Sequence, residues 1–243
     1  MKPIIMLPTY NERDNIEIAA KSVLKNVLDL DILIIDDSSP DGTGEIADRL
    51  AREFPRVKVM HRPPKSGRGT ASRDGYRYAI ENGYTHYLEF DVDGSHRAEE
   101  IPALIARAGD GADLVIGSRY MKGGSVGQWS LQRRVLHFLA DLYVNIVLGT
   151  PTTDHTNGLR CYSVEMLKKI NFNELPSEGY VAHSILENVI YRAGFRIDEV
   201  PSAFKSRTVG QSKNSIKEAI NGVLDILKYR TKLIKIGIQG FKK

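Results

Sequence analysis

The 243-residue chain holds a single cysteine, Cys161, which excludes both an intramolecular disulfide and a cysteine-rich zinc module. No uninterrupted apolar run approaches the roughly 20 residues needed to cross a bilayer. There is no repeat of fixed period and no low-complexity linker. Two phosphate-binding fingerprints are also missing. GxGxxG would need glycine at 72, where Ser72 stands, and GxxxxGK[ST] does not occur, so dinucleotide and Walker-type ATP sites lose ground. Without a GxSxG elbow, hydrolase chemistry at His155 and its neighbours has little support. The apolar run in MKPIIMLPTYNERDN is too short for a signal peptide, and acidic residues follow at once, so an intracellular, unprocessed protein is expected.

The composition is that of an ordinary globular protein, 42% apolar and 26% charged, and a chain of this length buries a core without staples. The net charge of +4 is unevenly spread: residues 201–243 carry ten of the 34 Lys/Arg and only two of the 30 Asp/Glu. Such a basic tail meets nucleic acid, anionic lipid or water alone.

Short apolar runs at 3–8, 31–35, 56–60, 86–90 and 112–117 alternate with helical patterns at 13–27, 43–53, 70–82 and 98–108. Continuous apolar strands separated by helices predict an α/β fold with a mainly parallel sheet covered on both faces. The second half is α-rich. Helices are expected at 129–148, 178–193 and 214–236, and a strand at 195–200. Cys161 sits in a further strand and reads as a packing residue.

In open α/β sheets, ligands bind beyond the carboxyl ends of the strands. Each of the first five strands is followed by polar residues: Pro8–Glu12, Asp36–Thr43, Arg62–Gly69, Asp91–Ser95 and Gly117–Tyr120. Five such loops at one edge predict a ligand site. Asp91 and Asp93 flank Val92 after an apolar strand, a spacing that serves a divalent cation or a simple acidic turn. Basic residues on neighbouring loops favour the cation together with a diphosphate. The Gly67-Arg68-Gly69 loop either faces an anion with its N–H groups or merely turns the chain into a helix. The Asp36–Asp37 pair at a strand end suits the hydrogen-bond donors of a base or ribose, while one of Ser39, Asp41 and Thr43 is expected to cap the following helix.

The ordered set PTYNE, DDSSPDGT, KSGRGTA, DVDGSH, GSRY and a late R-x-x-G-x-S-K resembles the inverting family-2 glycosyltransferases of GT-A fold, and within them the dolichyl- and polyprenyl-phosphate mannose synthases. The likeness runs through residues 3–213. It implies a catalytic domain over 1–213; the basic amphipathic helix read over 214–243 lies beyond it and either rests on an anionic membrane surface or packs, solvated, on the domain. It implies a nucleotide-sugar donor, commonly GDP-mannose, a polyprenyl-phosphate acceptor, Mg²⁺ or Mn²⁺, and no nucleic acid. Carried over motif by motif, Pro8, Tyr10 and Glu12 contact the nucleotide, and Ile35 and Asp37 hold base and ribose. Phe90, Asp91, Val92 and Asp93 line the diphosphate and metal site, with Ser95 as a third, weak ligand. Arg119, Arg207 and Lys213 clamp phosphates, and Arg133 stands near the acceptor phosphate. Asp91, Asp93, Arg119 and Arg133 are thus the expected catalytic group.

The chain departs from the family pattern in four places. Val92 replaces a small residue and Ser95 a glutamine-like ligand. DHTNGLR (154–160) stands for D-x-T-S-G-F-R, and His137 replaces a hydroxyl residue one turn after Arg133. These departures bear on sugar and acceptor more than on the reaction. UDP-glucose or another donor, and a polysaccharide or protein hydroxyl acceptor, form the rival reading. A hydroxyl would need a base, Asp93 or Asp154. Membrane contact is expected to be peripheral, on the cytoplasmic face, or through a small anchoring partner. The segments concerned are 129–148, whose polar stripe is His137, Asp141 and Asn145, and the basic tail.

Overall fold

The computed structural model describes residues 1–64, 67–172, 181–205 and 216–232. Its elements follow the hydrophobic pattern closely in the first half. They are β1 (Pro3–Thr9), α1 (Arg13–Asn26), β2 (Asp31–Asp36), α2 (Thr43–Glu53), β3 (Val57–His61), α3 (Arg68–Glu81), β4 (His86–Glu89), α4 (Ile101–Gly109, entered through a 3-10 turn) and β5 (Leu114–Ser118). There follow α5 (Leu131–Leu148), β6 (Arg160–Ser163), the one-turn α6 (Val164–Leu167), α7 (Ala182–Arg192), β7 (Ile197–Pro201) and α8 (Ile216–Lys232). The outer parts of the helices expected at 178–193 and 214–236 lie outside the described residues.

The seven strands form one sheet in the order β3-β2-β1-β4-β6-β5-β7. All pairs are parallel except those of β6, which lies antiparallel between β4 and β5. The expected fold class, a mainly parallel sheet with helices on both faces, therefore holds, and β1 to β5 all end at the same edge.

The alternation of side chains along a strand divides the core in two. Ile4 and Met6 of β1, with Leu33 and Ile35 of β2, face α3, α5, α7 and α8. Ile5 and Leu7, with Ile32 and Ile34, face α1, α2 and α4. Because both faces are covered, PIIML is apolar at every position rather than at alternate ones. Cys161 is wholly buried in the second cluster, and burial pushes its thiol far up, consistent with packing. α8 is part of the folded body: Ile226 and Tyr229 enter the first cluster, and the Tyr229 hydroxyl donates to Asn188 Oδ1 at 3.0 Å.

α5 corrects the sequence reading of its faces. Ser130 caps its start, accepting the Arg133 N–H at 3.3 Å, and Gly149 ends it in the left-handed region at φ 71°. The polar stripe turns inward: Asp141 is buried, and Asn145 donates to Thr152 O at 3.4 Å. Apolar residues point outward instead, with Leu136, Phe138 and Ile146 exposed at 63%, 60% and 74%. Periodicity shows that a helix has two faces; the polar partners contributed by residues 150–158 decide which one is buried. No helix among the described residues is long and apolar enough to cross a membrane.

Candidate active site

The ends of β1 and β2 turn sharply. Asn11 and Ser38 are non-glycine residues at positive φ, 59° and 51°, a conformation held by local bonds. Ser38 Oγ donates to Arg62 O at 2.5 Å, and the Asn11 N–H donates to Ser39 Oγ at 3.0 Å. Asp36 is a structural residue: its carboxylate accepts from Thr9, from the Ser39 N–H and from the Ser39 hydroxyl. Asp41 closes a turn on Thr43 and also accepts the Arg13 N–H at 3.2 Å. Asp37 is the other member of the pair. It lies 3.4 Å from Arg62 Nε and accepts the Gly67 N–H at 3.0 Å. Burial pushes its carboxyl up against the pull of Arg62. The N–H that Gly67 aims at an anion, from a φ of 88°, is thus taken by the protein's own Asp37.

Pro8, Tyr10 and Glu12 line the same edge, half-buried, and Glu12 accepts from Asn15 Nδ2 at 2.8 Å. The Ile35 side chain is fully inside the core, so only its backbone is available to a ligand. Val92 likewise turns into the core beside Phe90.

Asp91 and Asp93 follow β4 as expected. The Asp91 N–H donates to His96 Nδ1 at 3.0 Å, and His96 Nε2 meets Asn157 Oδ1 at 2.9 Å and Asp91 Oδ2 at 3.7 Å. Arg68, at the start of α3, donates from Nη1 to Asp91 Oδ1. Burial opposes the Asp91 charge, but Arg68 and His96 outweigh it and hold the carboxyl well below the usual range. Asp93 accepts the Ser95 N–H at 3.0 Å. Among the described residues no three His, Cys, Asp or Glu gather around one point. Asp91 and Asp93 alone would suit an ion that completes its shell with water and substrate phosphate, as Mg²⁺ and Mn²⁺ do.

A cationic group sits beyond β5. Arg119 forms a two-pronged pair with Asp154, Nε to Oδ2 at 2.7 Å and Nη2 to Oδ1 at 2.6 Å, and donates to Thr156 Oγ1 at 2.5 Å. Burial opposes the charge on Asp154, yet Arg119 holds its carboxyl low, so it is a poor base. The Trp129 ring takes the Arg119 guanidinium at 5.0 Å and that of Arg133 at 4.2 Å, and Arg133 also stands 5.1 Å from Phe204. The His137 ring lies against Trp129, centroids 4.3 Å apart and tilted by 37°; burial and the two arginines push its pKa down to about 4.

Two links tie this group to the acidic motif. Lys205, next to Phe204, donates its N–H to Ser95 O at 3.1 Å. The 152–158 loop reaches Arg119 through Asp154 and His96 through Asn157. Within and beside that loop His155, Arg160 and Glu187 are wholly buried together, with His155 Nδ1 2.9 Å and Arg160 Nη2 3.0 Å from the Glu187 carboxylate.

Asp91, Asp93, Ser95, Arg119 and Arg133 are thus brought to one region, while Arg207 and Lys213 lie outside the described residues. Sequence reasoning did not single out Arg68, His96, Trp129, Asn157 or Phe204. His96 and Asn157 were legible only as members of motifs, and nothing in the sequence pairs Trp129 with two arginines.

Asp141 gives a stability prediction. Burial and the Asp154 charge push its carboxyl up to about 7, while its Oδ1 accepts the His155 N–H at 3.1 Å. The native state then binds a proton that the unfolded chain has released, so this group lowers stability as pH rises from about 4 to 7. Asp141→Asn keeps the acceptor and removes the charge. Thermal melts at pH 8 are expected to rise by about 2–4 °C, the shift that about 1 kcal/mol gives in a chain of this size; a lower melting temperature contradicts the assignment.

The fold is of the GT-A class. Mycobacterium tuberculosis glucosyl-3-phosphoglycerate synthase, solved with Mn²⁺, UDP and glucosyl-3-phosphoglycerate, superposes with a TM-score of 0.67 at 20% identity, over 98% of this chain and 80% of that one. The mannosyltransferase PcManGT from Pyrobaculum calidifontis, solved with GDP-Man and Mn²⁺, gives 0.58 at 16% identity over 87% and 58%. At sequence level, a polyprenol monophosphomannose synthase from Mycolicibacterium smegmatis is 41% identical over 223 residues, 90% of this chain and 84% of that protein. An undecaprenyl-phosphate mannosyltransferase from Micrococcus luteus is 40% identical over 215 residues, 88% of each. The glycosyl transferase family 2 profile matches residues 4–171. The chain belongs to this family and is a glycosyltransferase.

Proposed function

We propose that the protein transfers a mannosyl group from GDP-mannose to a polyprenyl phosphate, with inversion. The observation that carries this reading is the joining, at one sheet edge, of the Asp91/Asp93 pair to the Arg119–Trp129–Arg133 group. The names of the two 40–41% identical relatives support the lipid-phosphate acceptor.

Pro8, Tyr10, Glu12, Asp37 and the Ile35 backbone receive the nucleoside. Asp91 and Asp93, with Ser95, hold Mg²⁺ or Mn²⁺, which when bound neutralises charge on the departing diphosphate. Phe90 and Val92 fix the floor of this motif from within the core. Arg207 and Lys213 complete the phosphate contacts. Arg133, and Arg119 through its pairing with Asp154, position the acceptor phosphate by charge. A phosphate monoester is already anionic near neutral pH, so its oxygen attacks the anomeric carbon without a base. That suits a site whose Asp154 is bound to Arg119 and held ionised.

The test offers the purified protein labelled GDP-mannose, UDP-glucose and other nucleotide sugars in turn, with polyprenyl phosphate, Mg²⁺ or Mn²⁺, and a chelator control. Metal-dependent label in the organic phase from GDP-mannose alone is expected. Label from UDP-glucose instead overturns the donor assignment.

Contact with the cytoplasmic membrane face is peripheral in this reading, through the outward apolar face of α5 and the neighbouring Val223, Leu224 and Leu227 of α8. Each large side chain entering the interface contributes up to about 1.5–3 kcal/mol. Phe138→Glu combined with Leu142→Glu is expected to weaken sedimentation with anionic vesicles by about tenfold or more. Unchanged sedimentation of the folded variant counts against it.

A further inference from the structure

We propose that Arg68 is a built-in counter-charge at Asp91, which a divalent cation entering the acidic motif has to displace, so that this arginine sets the cation affinity of the free protein. The inference rests on the metal placement proposed above and concerns a residue to which that placement gives no role.

The position of Arg68 needs an explanation. It opens α3, and the N-terminal turn of a helix disfavours a cation because the backbone N–H groups there already carry partial positive charge. What the guanidinium gains is Asp91, whose Oδ1 accepts from Nη1. Its charge is also felt by Glu89, two residues earlier on β4, which is wholly buried. The room for the pair is left by Gly158 on the loop above: a Cβ there would lie 2.7 Å from Arg68 Nη2 and 3.2 Å from Asp91 Oδ2. Strand end, helix start and loop are thus shaped around one guanidinium–carboxylate contact.

That contact uses an oxygen a cation at the motif needs. A cation approaching Asp91 meets both a shared ligand atom and a like charge, and each weakens binding. The remaining donors are few: Asp93, whose carboxylate accepts the Ser95 N–H, and a serine hydroxyl in place of a stronger ligand. Cation binding to the free protein is therefore weak, and it strengthens when a diphosphate supplies further oxygens. Released from Asp91, Arg68 remains at the start of α3 as a donor for a phosphate oxygen.

The test is an Mn²⁺ titration of the full chain without donor or acceptor, read by the EPR signal of free Mn²⁺, for wild type, Arg68→Gln and Arg68→Lys. Thermal melts establish folding, with Arg68→Met used if the glutamine variant fails to fold. Arg68→Gln is expected to bind Mn²⁺ about tenfold more tightly, with Arg68→Lys close to wild type and the gain lost on adding Asp91→Asn. Equal or weaker binding by the neutral variant, or no binding by either, overturns the proposal. The functional reading fails separately. A gain in Mn²⁺ affinity without mannosyl transfer to polyprenyl phosphate by the wild type would leave the Arg68 inference standing and remove that substrate reading, and the opposite pair of results would do the reverse.

Discussion

Asp91→Asn and Asp93→Asn are each expected to lower turnover by about a thousandfold while the protein stays folded. A bound cation supplies several kcal/mol of stabilisation to a departing diphosphate, and each 1.4 kcal/mol is a factor of ten. The two carboxylates are the oxygen donors at the end of β4 in the proposed metal site. Asparagine keeps the shape and one carbonyl oxygen, so the Asp91 N–H bond to His96 and the turn at Ser95 survive. Asp91 and Asp93 are not among the fully buried residues, which limits the cost to folding. Saturating-substrate transfer rates, with a thermal melt beside each variant, check this. Turnover within tenfold of wild type in a folded variant contradicts the metal assignment.

Arg160→Met is expected to cost about 3–5 kcal/mol of stability. Arg160 and Glu187 are both completely buried, with Nη2 to Oε2 at 3.0 Å. Arg160 also donates from Nε to Asn157 O and from Nη2 to His155 O, each at 2.9 Å. Removing it takes the counter-charge from a buried carboxylate and a donor from the carbonyls of Asn157, His155 and His183. The same bonds fix the loop that carries Asp154 to Arg119 and Asn157 to His96, so activity should fall as well. Denaturant unfolding measures the cost. The double variant Arg160→Met/Glu187→Leu is expected to be less destabilised than Arg160→Met, since it buries no lone charge. A loss below about 1 kcal/mol for the single variant contradicts this account of the cluster.

The first half of the chain was legible because each of its strands is short, apolar and bounded by polar loops. β1 to β5 were readable within a few residues, and with them the edge where the site lies. Asp37, Asp91, Asp93, Arg119 and Arg133, the residues proposed for the site, stand at motif positions just beyond strand ends or at a helix start. Long-range partnerships were not readable. DHTNGLR looks like an exposed turn, yet Arg160 is fully buried, because its counter-charge comes from Glu187 on α7. The antiparallel insertion of β6 between β4 and β5 has no local signal. The inward polar stripe of α5 depends on partners from residues 150–158: Thr152 O accepts from Asn145, and the His155 N–H donates to Asp141. Arg68 read as part of a glycine-rich turn because only the fold brings it to Asp91.

Transfer to a lipid phosphate needs no base, whereas transfer to an alcohol does. The decisive comparison gives the purified protein labelled GDP-mannose and metal with either polyprenyl phosphate or the matching polyprenol. Organic-phase label is expected with the phosphate and none with the alcohol. Equal labelling of the alcohol, or label appearing only on a polysaccharide or protein hydroxyl, would contradict it.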